Sequence, residues 1–303
     1  MLIGVDFGGT KIEAVALSPG GDTLARKRIP TPREDYAACI AAVAELVADV
    51  EITVGRQGSV GIGIPGAISA ETGLVKNANS TWMIGRPLAS DLEAALGRPA
   101  RLENDANCLA VSEATDGAGA GAHVVWAVIL GTGVGSGIAI GGRALSGRNR
   151  IAGEWGHNPL PWPEADELPA PPCYCGDSGC IETFLSGPGF AADYLRRTGV
   201  SATAEEIMAA VRSGDAEARA AFERYLDRLA RGLAHVVNIL DPDAIVLGGG
   251  LSDIDELYAA LPQRVAPHVF SDTFTTPILK NHHGASSGVR GAAWLWKDGA
   301  DPS

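Results

Sequence analysis

The sequence predicts an α/β protein built from two similar domains that face each other across a cleft. Two segments carry this prediction: "IGVDFGGTKIEAVAL" (residues 3–17) and "WAVILGTGVGSGIAI" (residues 126–140) repeat one order of strand, glycine-rich turn and strand. A third glycine turn, "GGG" (248–250), follows the apolar strand "DAIVL". The chain of 303 residues is long enough for two hydrophobic cores.

The elements between these turns follow from the hydrophobic pattern. Helices are predicted from about Glu34 to Val50 and from about Asn104 to Ala114, and the pattern is helical from Ala204 to about Leu240. Residues 158–172 are rich in proline and are predicted to be irregular. The tail "SSGVRGAAWLW" is predicted to form a last helix with a serine as its cap.

Composition and charge exclude several classes of partner. The chain has 46% hydrophobic and 20% charged residues and a formal net charge of −12, so it repels nucleic-acid phosphates and anionic membranes. No apolar run approaches the roughly 20 residues of a membrane span. The first residues, "MLIGVDFGGTK", have the pattern of a folded strand and not of a signal peptide, so we expect a cytoplasmic protein.

The glycine turns are either simple tight turns or a cradle for phosphate. Missing side chains let backbone N–H groups approach an anion closely. The pattern "GTGVGSG" differs from the dinucleotide fingerprint because it leads into a strand, and no Gly-Lys-Ser/Thr opens a helix. Three such turns favour a cradle made of hairpin turns. Its predicted residues are Gly8, Gly9, Thr10, Lys11, Gly131, Thr132, Gly133, Gly135, Gly248, Gly249 and Gly250.

Two acidic positions each allow two interpretations. Asp6 precedes the first turn, where a carboxylate either holds Mg²⁺ through water or caps the turn. In "ENDAN", Glu103, Asn104 and Asp105 stand just before or at the start of a helix, where Asn and Asp are favoured caps. The positive end of a helix also keeps a carboxylate such as Asp105 ionised, and an ionised carboxylate can accept a hydroxyl proton.

The segment "CYCGDSGC" predicts a metal site. Cys173 and Cys175 are too close in sequence to form an unstrained disulfide, and the spacing is not that of a C-x-x-C redox pair. With Cys180 they supply three thiolates, and zinc requires a fourth ligand, for which the chain offers six histidines. Cys39 and Cys108 lie in apolar helical patterns and are predicted to be packing residues.

Five motifs in this order, "DFGGTK", "ENDAN", "GTGVGSG", "GEWGH" and "CYCGDSGCIE", resemble the ROK family of sugar kinases and repressors. The resemblance runs from about residue 2 to 296 and implies an actin-like, hexokinase/Hsp70-type, ribonuclease H-like ATPase fold. It implies a smaller domain of residues 1–117 to which the last helix, within about 287–303, returns, and a larger domain of residues 118–286. Within the family, "GIPGAIS", "VKNANSTW" and "GEWGHNPLPW" look most like bacterial fructokinases of the manno(fructo)kinase kind.

The resemblance also implies an activity and a site. It implies transfer of the γ-phosphate of ATP, with Mg²⁺, to the C6 hydroxyl of a hexose, with Asp105 as general base. D-Fructose is the expected substrate, mannose or glucose are further candidates, and an N-acetylhexosamine or glucose kinase is the alternative. The expected sugar contacts are Gly66, Asn79, Asn104, Glu154, His157 and Glu182.

By the same resemblance, His157 completes a closed structural zinc site with Cys173, Cys175 and Cys180. Zinc would then brace the loops that carry Glu154, His157 and Glu182. The nucleotide turns lie elsewhere in the sequence, so we expect metal loss to damage sugar recognition more than nucleotide recognition.

Two other functions compete with a kinase. A repressor of the same family would need a DNA-binding segment ahead of the first turn, for which residues 1–3 leave no room, and the net charge is unsuitable for DNA. An actin-like ATPase of the chaperone or filament class would lack the cysteine cluster. We expect a homodimer or a monomer.

Overall fold

The computed structural model describes residues 1–78 and 80–297. The predicted sugar contact Asn79 and the end of the predicted segment 287–303 therefore lie outside the described residues. The chain forms two compact units. Unit 1 comprises Met1–His123, Gly137–Gly153 and the segment from His282, and unit 2 comprises Val124–Ser136 and Glu154–Asn281. The domain boundaries expected from the resemblance stay a prediction, and the units differ from them by grouping residues 137–153 with the N-terminal segment.

The strands follow the hydrophobic pattern closely. Both predicted strand–turn–strand segments form strands on either side of their glycine turns. In chain order the strands are β1 (Leu2–Phe7), β2 (Lys11–Leu17), β3 (Thr23–Pro30), β4 (Ser59–Ile64), β5 (Ala67–Ile68), β6 (Val75–Lys76), β7 (Ala100–Asn104), β8 (Val124–Leu130), β9 (Val134–Ile140), β10 (Arg143–Ala144), β11 (Ala244–Gly248) and β12 (Ile278–Lys280).

The helices connect these strands, and short 3₁₀ turns occur between them. In chain order they are α1 (Tyr36–Val54), α2 (Leu88–Leu96), α3 (Asp105–Thr115), α4 (Glu182–Leu185), α5 (Gly187–Thr198), α6 (Ala204–Ser213), α7 (Ala216–Leu240), α8 (Glu256–Val265) and α9 (Ser287–Trp294).

The helical pattern from Ala204 to about Leu240 forms two helices, because Gly214 adopts a left-handed conformation (φ +95°) that ends α6. The Asp215 side chain then accepts a hydrogen bond from the N–H of Ala218 and caps α7. The predicted serine cap of α9 is absent: Ser286 precedes the helix without a side-chain cap, and Ser287 Oγ donates to buried Glu113 instead (2.7 Å).

The two five-stranded sheets have the same strand order. The first runs β3-β2-β1-β4-β7, with β1 antiparallel to β2 and parallel to β4. The second runs β10-β9-β8-β11-β12, with β11 parallel to both β8 and β12. Each sheet thus consists of three strands that follow each other in sequence and two later strands added beside the first of them. The duplication predicted from the glycine turns extends to the whole sheet order.

The core of unit 1 is completed by the last helix. α9 packs on α3 and on the sheet strands β1 and β4. The approach is close enough to require glycines: a Cβ on Gly291 would overlap the Cys108 carbonyl, and one on Gly4 would overlap the Val289 carbonyl. Cys39 and Cys108 are fully buried, as packing residues should be. Within the described part of the chain, no helix combines the length and the hydropathy needed to cross a membrane.

Candidate active site and metal cluster

The first glycine turn joins β1 to β2 in unit 1. The Gly8 N–H donates to the Lys11 carbonyl (3.1 Å), and the Thr31 hydroxyl donates to the Gly8 carbonyl (2.7 Å). Thr10 is exposed and Lys11 is half-buried, so both side chains remain accessible from solvent. The turn is thus a closed hairpin whose hydroxyl and ammonium groups can meet an anion.

Asp6 lies in β1 beside this turn, opposite Glu13 in the β1–β2 register. Burial, with the negative charges of Asp105 and Glu13, raises the pKa of Asp6 to about 6 against the opposing charges of Lys11 and Arg28. The influence of the Asp105 charge indicates that the predicted Mg²⁺ carboxylate and the predicted base lie near each other in unit 1. A cation bound nearby would lower the pKa of Asp6 and keep its carboxylate ionised.

Asp105 is the first residue of α3, and Asn104 is its cap. Asn104 Oδ1 accepts from the N–H groups of Ala106 (2.9 Å) and Asn107 (3.2 Å), and Asp105 Oδ1 also accepts from Ala106 (2.8 Å). Glu103 accepts from the Asn104 N–H (2.9 Å) and from the Asn107 side chain (3.0 Å), which fits a structural role. Asp105 therefore stays at the positive end of a helix whose capping task belongs to its neighbour.

Gly66 and Asn104, two predicted sugar contacts, touch each other. The Asn104 side-chain amide donates to the Gly66 carbonyl (3.0 Å). Gly66 has φ +73°, and a Cβ there would overlap the Lys76 carbonyl. Both residues thus have structural tasks that compete with direct sugar binding, and their predicted sugar contacts stay predictions.

The second and third glycine turns adjoin each other in unit 2. Gly249 has φ +82°, and a Cβ on it would overlap the backbone of Leu130, the last residue of β8. A cavity of about 520 Å³ opens beside the two turns. Its walls include Gly131 and Thr132 from the second turn and Gly250 and Leu251 from the third. Its volume lies within the range of small-molecule sites.

Two other walls of this cavity were not predicted. They are the first turn of α5, with Gly187 and Pro188, and residues 201–206, which lead into α6. The Gly187 N–H donates to the Gly131 carbonyl (2.8 Å), which fixes the start of α5 against the second turn. The local signals were present in the sequence, since Ser186 caps α5 and Thr203 forms a capping box with Glu206. They predict helix starts, but not that the two starts face one cavity.

The structure brings His157, Cys173, Cys175 and Cys180 together in unit 2. One donor atom from each residue lies within 4.8 Å of the others. Cys173 Sγ is 3.6 Å from His157 Nδ1, and Cys175 Sγ is 3.6 Å from Cys180 Sγ. A tetrahedron of ligands around zinc, with Zn–S bonds of about 2.3 Å, places sulfurs about 3.8 Å apart. The four donors therefore fit a zinc ion in number, chemistry and spacing.

The thiols of this cluster differ in their electrostatics. The Asp177 backbone N–H, with smaller contributions from the other cluster residues, lowers the pKa of Cys175. Burial, together with the neighbouring Cys175 and Cys173, raises the pKa of Cys180 to about 12. A bare cluster would therefore keep a proton on Cys180, and a metal ion is what would make three thiolates compatible in so small a volume.

The two segments that carry the cluster contact the second glycine turn. Glu182, two residues after Cys180, accepts from the Val134 N–H through Oε2 (2.8 Å). Trp155, two residues before His157, donates to the Gly135 carbonyl (3.2 Å). Both segments that carry the clustered donors therefore contact the second turn, and the expected difference between sugar and nucleotide recognition after metal loss stays a prediction.

The five predicted sugar contacts among the described residues are thus distributed over both units. Gly66 and Asn104 lie in unit 1 with Asp105, whereas Glu154, His157 and Glu182 lie in unit 2 near the cysteine cluster.

Comparisons with known proteins give a consistent picture. The sequence model of the ROK family matches residues 2–299. The N-acetyl-D-glucosamine kinase of Escherichia coli O9:H4 (strain HS) is 44% identical over 299 residues, which cover 97% of this chain and 99% of the relative. The crystal structure of the ROK hexokinase from Thermus thermophilus aligns with a TM-score of 0.86 and 31% identity over 97% of both chains.

A second solved structure is of interest for its ligands. The ROK family glucokinase from Streptomyces griseus, in complex with glucose and AMPPNP, aligns with a TM-score of 0.76 and 30% identity. The alignment covers 97% of this chain and 98% of the other. The resemblance deduced from the five motifs is confirmed, and the two repeated sheets are those of the actin-like sugar kinase fold.

Proposed function

This chain belongs to the ROK family, and from that premise we propose that it is an ATP-dependent sugar kinase whose substrate is N-acetyl-D-glucosamine. The observation that carries the choice of sugar is the 44% identity, over 97% of the chain, to a kinase of that sugar. Fructose, the substrate expected from three short motifs, is not supported by these relatives. The acceptor in the proposal is the C6 hydroxyl.

Asp105 is the proposed general base. Phosphoryl transfer requires an oriented hydroxyl, a base and donors for the phosphates, and little else from the protein. Asp105 is the first residue of α3, and the positive end of the helix favours the ionised carboxylate, which would accept a proton from the sugar hydroxyl as the new O–P bond forms. The product keeps the transferred phosphoryl group, and ADP leaves.

The cavity beside the second and third turns is the proposed nucleotide site. Backbone N–H groups at glycine turns and at the starts of α5 and α6 suit phosphate oxygens. The first turn, with Thr10, Lys11 and Asp6, is proposed to serve the transferring phosphate. Mg²⁺ supplies charge neutralisation for this chemistry when it is bound.

Zinc at His157, Cys173, Cys175 and Cys180 is the proposed structural metal. All four donors come from the chain, so no open position remains for water, and the metal would stabilise and not catalyse. Metal analysis of the purified protein is expected to find about one zinc per chain. A metal-free protein of full stability and activity would contradict this assignment.

A coupled ATPase assay with a panel of sugars tests the proposed function. The panel is N-acetyl-D-glucosamine, N-acetyl-D-mannosamine, glucose, mannose and fructose, and kcat/KM is compared among them. We expect N-acetyl-D-glucosamine to give the highest value, with glucose clearly lower, because a site that hydrogen-bonds an amide discriminates against sugars that lack it. A higher value for fructose would overturn the substrate, and no turnover with any sugar would overturn the kinase.

A further inference from the structure

Tyr174 stands between two of the clustered cysteines and touches the clustered histidine. Its hydroxyl is 3.0 Å from His157 Nε2, and the two rings meet edge to face with centroids 5.2 Å apart. The Tyr174 side chain is nevertheless 80% exposed. This exposed hydroxyl therefore occupies a ring nitrogen of a residue that is proposed both to bind zinc and to contact the sugar.

The orientation of the histidine determines which way the proton points. His157 Nδ1 faces Cys173 Sγ at 3.6 Å, so Nδ1 is the nitrogen available to a metal. With Nδ1 used in this way, the proton resides on Nε2, and Nε2–H donates to the Tyr174 oxygen. The only N–H of His157 that could serve a sugar hydroxyl is thus engaged by Tyr174.

The Tyr174 hydroxyl is chemically similar to a hydroxyl of the sugar. A neutral phenol O–H is both a donor and an acceptor, as a sugar hydroxyl is. The Tyr174 hydroxyl, 3.0 Å from Nε2, thus lies where a hydroxyl of the sugar would meet His157.

We propose that the Tyr174 hydroxyl holds the place of a sugar hydroxyl on His157 Nε2 and is displaced when the hexose binds. This inference rests on the proposed function, and it makes Tyr174 a residue that sets sugar affinity without entering the chemistry. Because the side chain is mostly exposed, it can rotate into solvent without opening the core. The displaced contact is one hydrogen bond, which corresponds to roughly a two- to tenfold effect on affinity.

Tyr174→Phe removes the competing oxygen and keeps the ring. Titration calorimetry of the zinc-loaded protein with N-acetyl-D-glucosamine should give a Kd roughly two- to tenfold lower for the variant than for the wild type. Steady-state kinetics should show the same decrease in sugar KM, with kcat and the KM for ATP unchanged. A merely structural role of Tyr174 would change stability or zinc content and would not produce this split.

Tyr36→Phe is the matched control. It removes a tyrosine hydroxyl that donates to Asp91 (2.7 Å) in unit 1, so it should leave the sugar Kd unchanged. Melting temperature and zinc content are measured for both variants. For Tyr174→Phe, both values should equal those of the wild type.

The outcomes distinguish a failure of the Tyr174 displacement from a failure of the proposed kinase function. If the wild type binds a hexose and Tyr174→Phe binds it equally or more weakly, the displacement is overturned while the kinase proposal stands. Weaker binding would mean that Tyr174 itself contacts the sugar. If the wild type binds no sugar of the panel, both proposals fail.

Discussion

At the scale of single residues, the start of α3 separates two tasks that often fall on one side chain. Asn104 caps the helix, and Asp105, one position later, also accepts from the N–H of Ala106. A residue needed for capping cannot be changed without loss of stability, whereas Asp105 can be neutralised in place.

Asp105→Asn should therefore change the stability of the protein little and lower its catalytic rate strongly. We expect kcat to fall by roughly 10²–10⁴, with a much smaller change in sugar KM, because the base is lost while the shape is kept. Asp35→Ala is the matched control: Asp35 caps α1 by accepting from Ala38 (2.9 Å) and is far from the site in sequence. It should cost about 1 kcal/mol of stability and leave kcat unchanged. A near-normal kcat in Asp105→Asn would reduce Asp105 to a helix-terminal residue.

Asp6 should make stability depend on pH in an unusual direction. Its pKa is raised from 3.8 to about 6, so the folded protein favours the neutral form. The resulting penalty is small near pH 4, grows as pH rises through this interval, and is complete above about pH 6. Asp6→Asn removes the penalty, and its stability advantage over the wild type should increase from near zero at pH 4 to roughly 1–3 kcal/mol at pH 8.

Denaturant unfolding of both proteins at the two pH values, without nucleotide or metal, measures this difference. The same substitution should strongly impair phosphoryl transfer if Asp6 serves the transferring phosphate. An advantage that is constant with pH would show that the Asp6 carboxylate is ionised throughout.

At the scale of elements, Glu182 connects α4 to the second glycine turn. The Glu182 carboxylate lies against Gly133, and a Cβ added at Gly133 would be 2.6 Å from Oε2. The absence of a side chain at position 133 is therefore a requirement of the contact between Glu182 and Val134.

Gly133→Ala tests whether this contact joins the two substrates. The methyl group must push the Glu182 carboxylate away from the Val134 N–H, and loss of a hydrogen bond to a charged group corresponds to roughly a tenfold or larger effect. We expect sugar KM and the Kd of an ATP analogue to rise together. Gly288→Ala, in open space on α9, should change neither value. A rise in only one of the two would separate Glu182 from the other substrate.

The same scale shows what local sequence could and could not predict. The helix expected from Glu34 to Val50 is α1, Tyr36–Val54, because its cap and its apolar periodicity are local. The break between α6 and α7 at Gly214–Asp215 also has a local cause, a left-handed glycine followed by an aspartate cap. The apolar pattern does not reveal it, because it continues across the break. The Ser287–Glu113 bond joins residues 174 positions apart, and no local pattern reveals such a partner.

The metal cluster divides in the same way. The spacing of Cys173, Cys175 and Cys180 predicts a metal site, because three thiolates so close in sequence can converge on one ion. The choice of His157 among six histidines came from family resemblance and not from spacing. Tyr174 was missed, since nothing in the sequence indicates that its hydroxyl reaches the ring of His157.

At the scale of the whole molecule, a buried ion cluster fastens the proline-rich segment of unit 2 to α7. Glu167 accepts from Arg228 (2.8 Å) and Arg231 (2.5 Å), and Arg231 also donates to the carbonyls of Pro161 and Trp162. Burial alone would raise the pKa of Glu167, but its bonds to Arg231 and Arg228 outweigh burial and hold it below its usual range. The irregular segment that leads to Cys173 is thus anchored by charge and not by regular structure.

Glu167→Gln should be strongly destabilising, because two buried guanidinium groups lose the counter-charge they share, although Asp193 remains beside Arg228 and Asp227 beside Arg231. We expect the free energy of unfolding to fall by about 3–5 kcal/mol, measured by urea denaturation. Glu256→Gln is the matched control, since its pair with Arg212 is exposed and should cost less than about 1 kcal/mol. Similar losses in both variants would show that burial does not strengthen the Glu167 cluster.

The close fit of α9 against Gly4 and the Cys108 carbonyl has a consequence for biosynthesis. The ribosome makes β1 long before α9, so unit 1 lacks this helix until the residues from Ser287 onward have been synthesised. All of unit 2 is available earlier, since its last residue is Asn281. The nascent chain therefore exposes the apolar surface of β1 and β4 that α9 later covers. A premature stop before Ser287 would leave this surface exposed to chaperones and proteases.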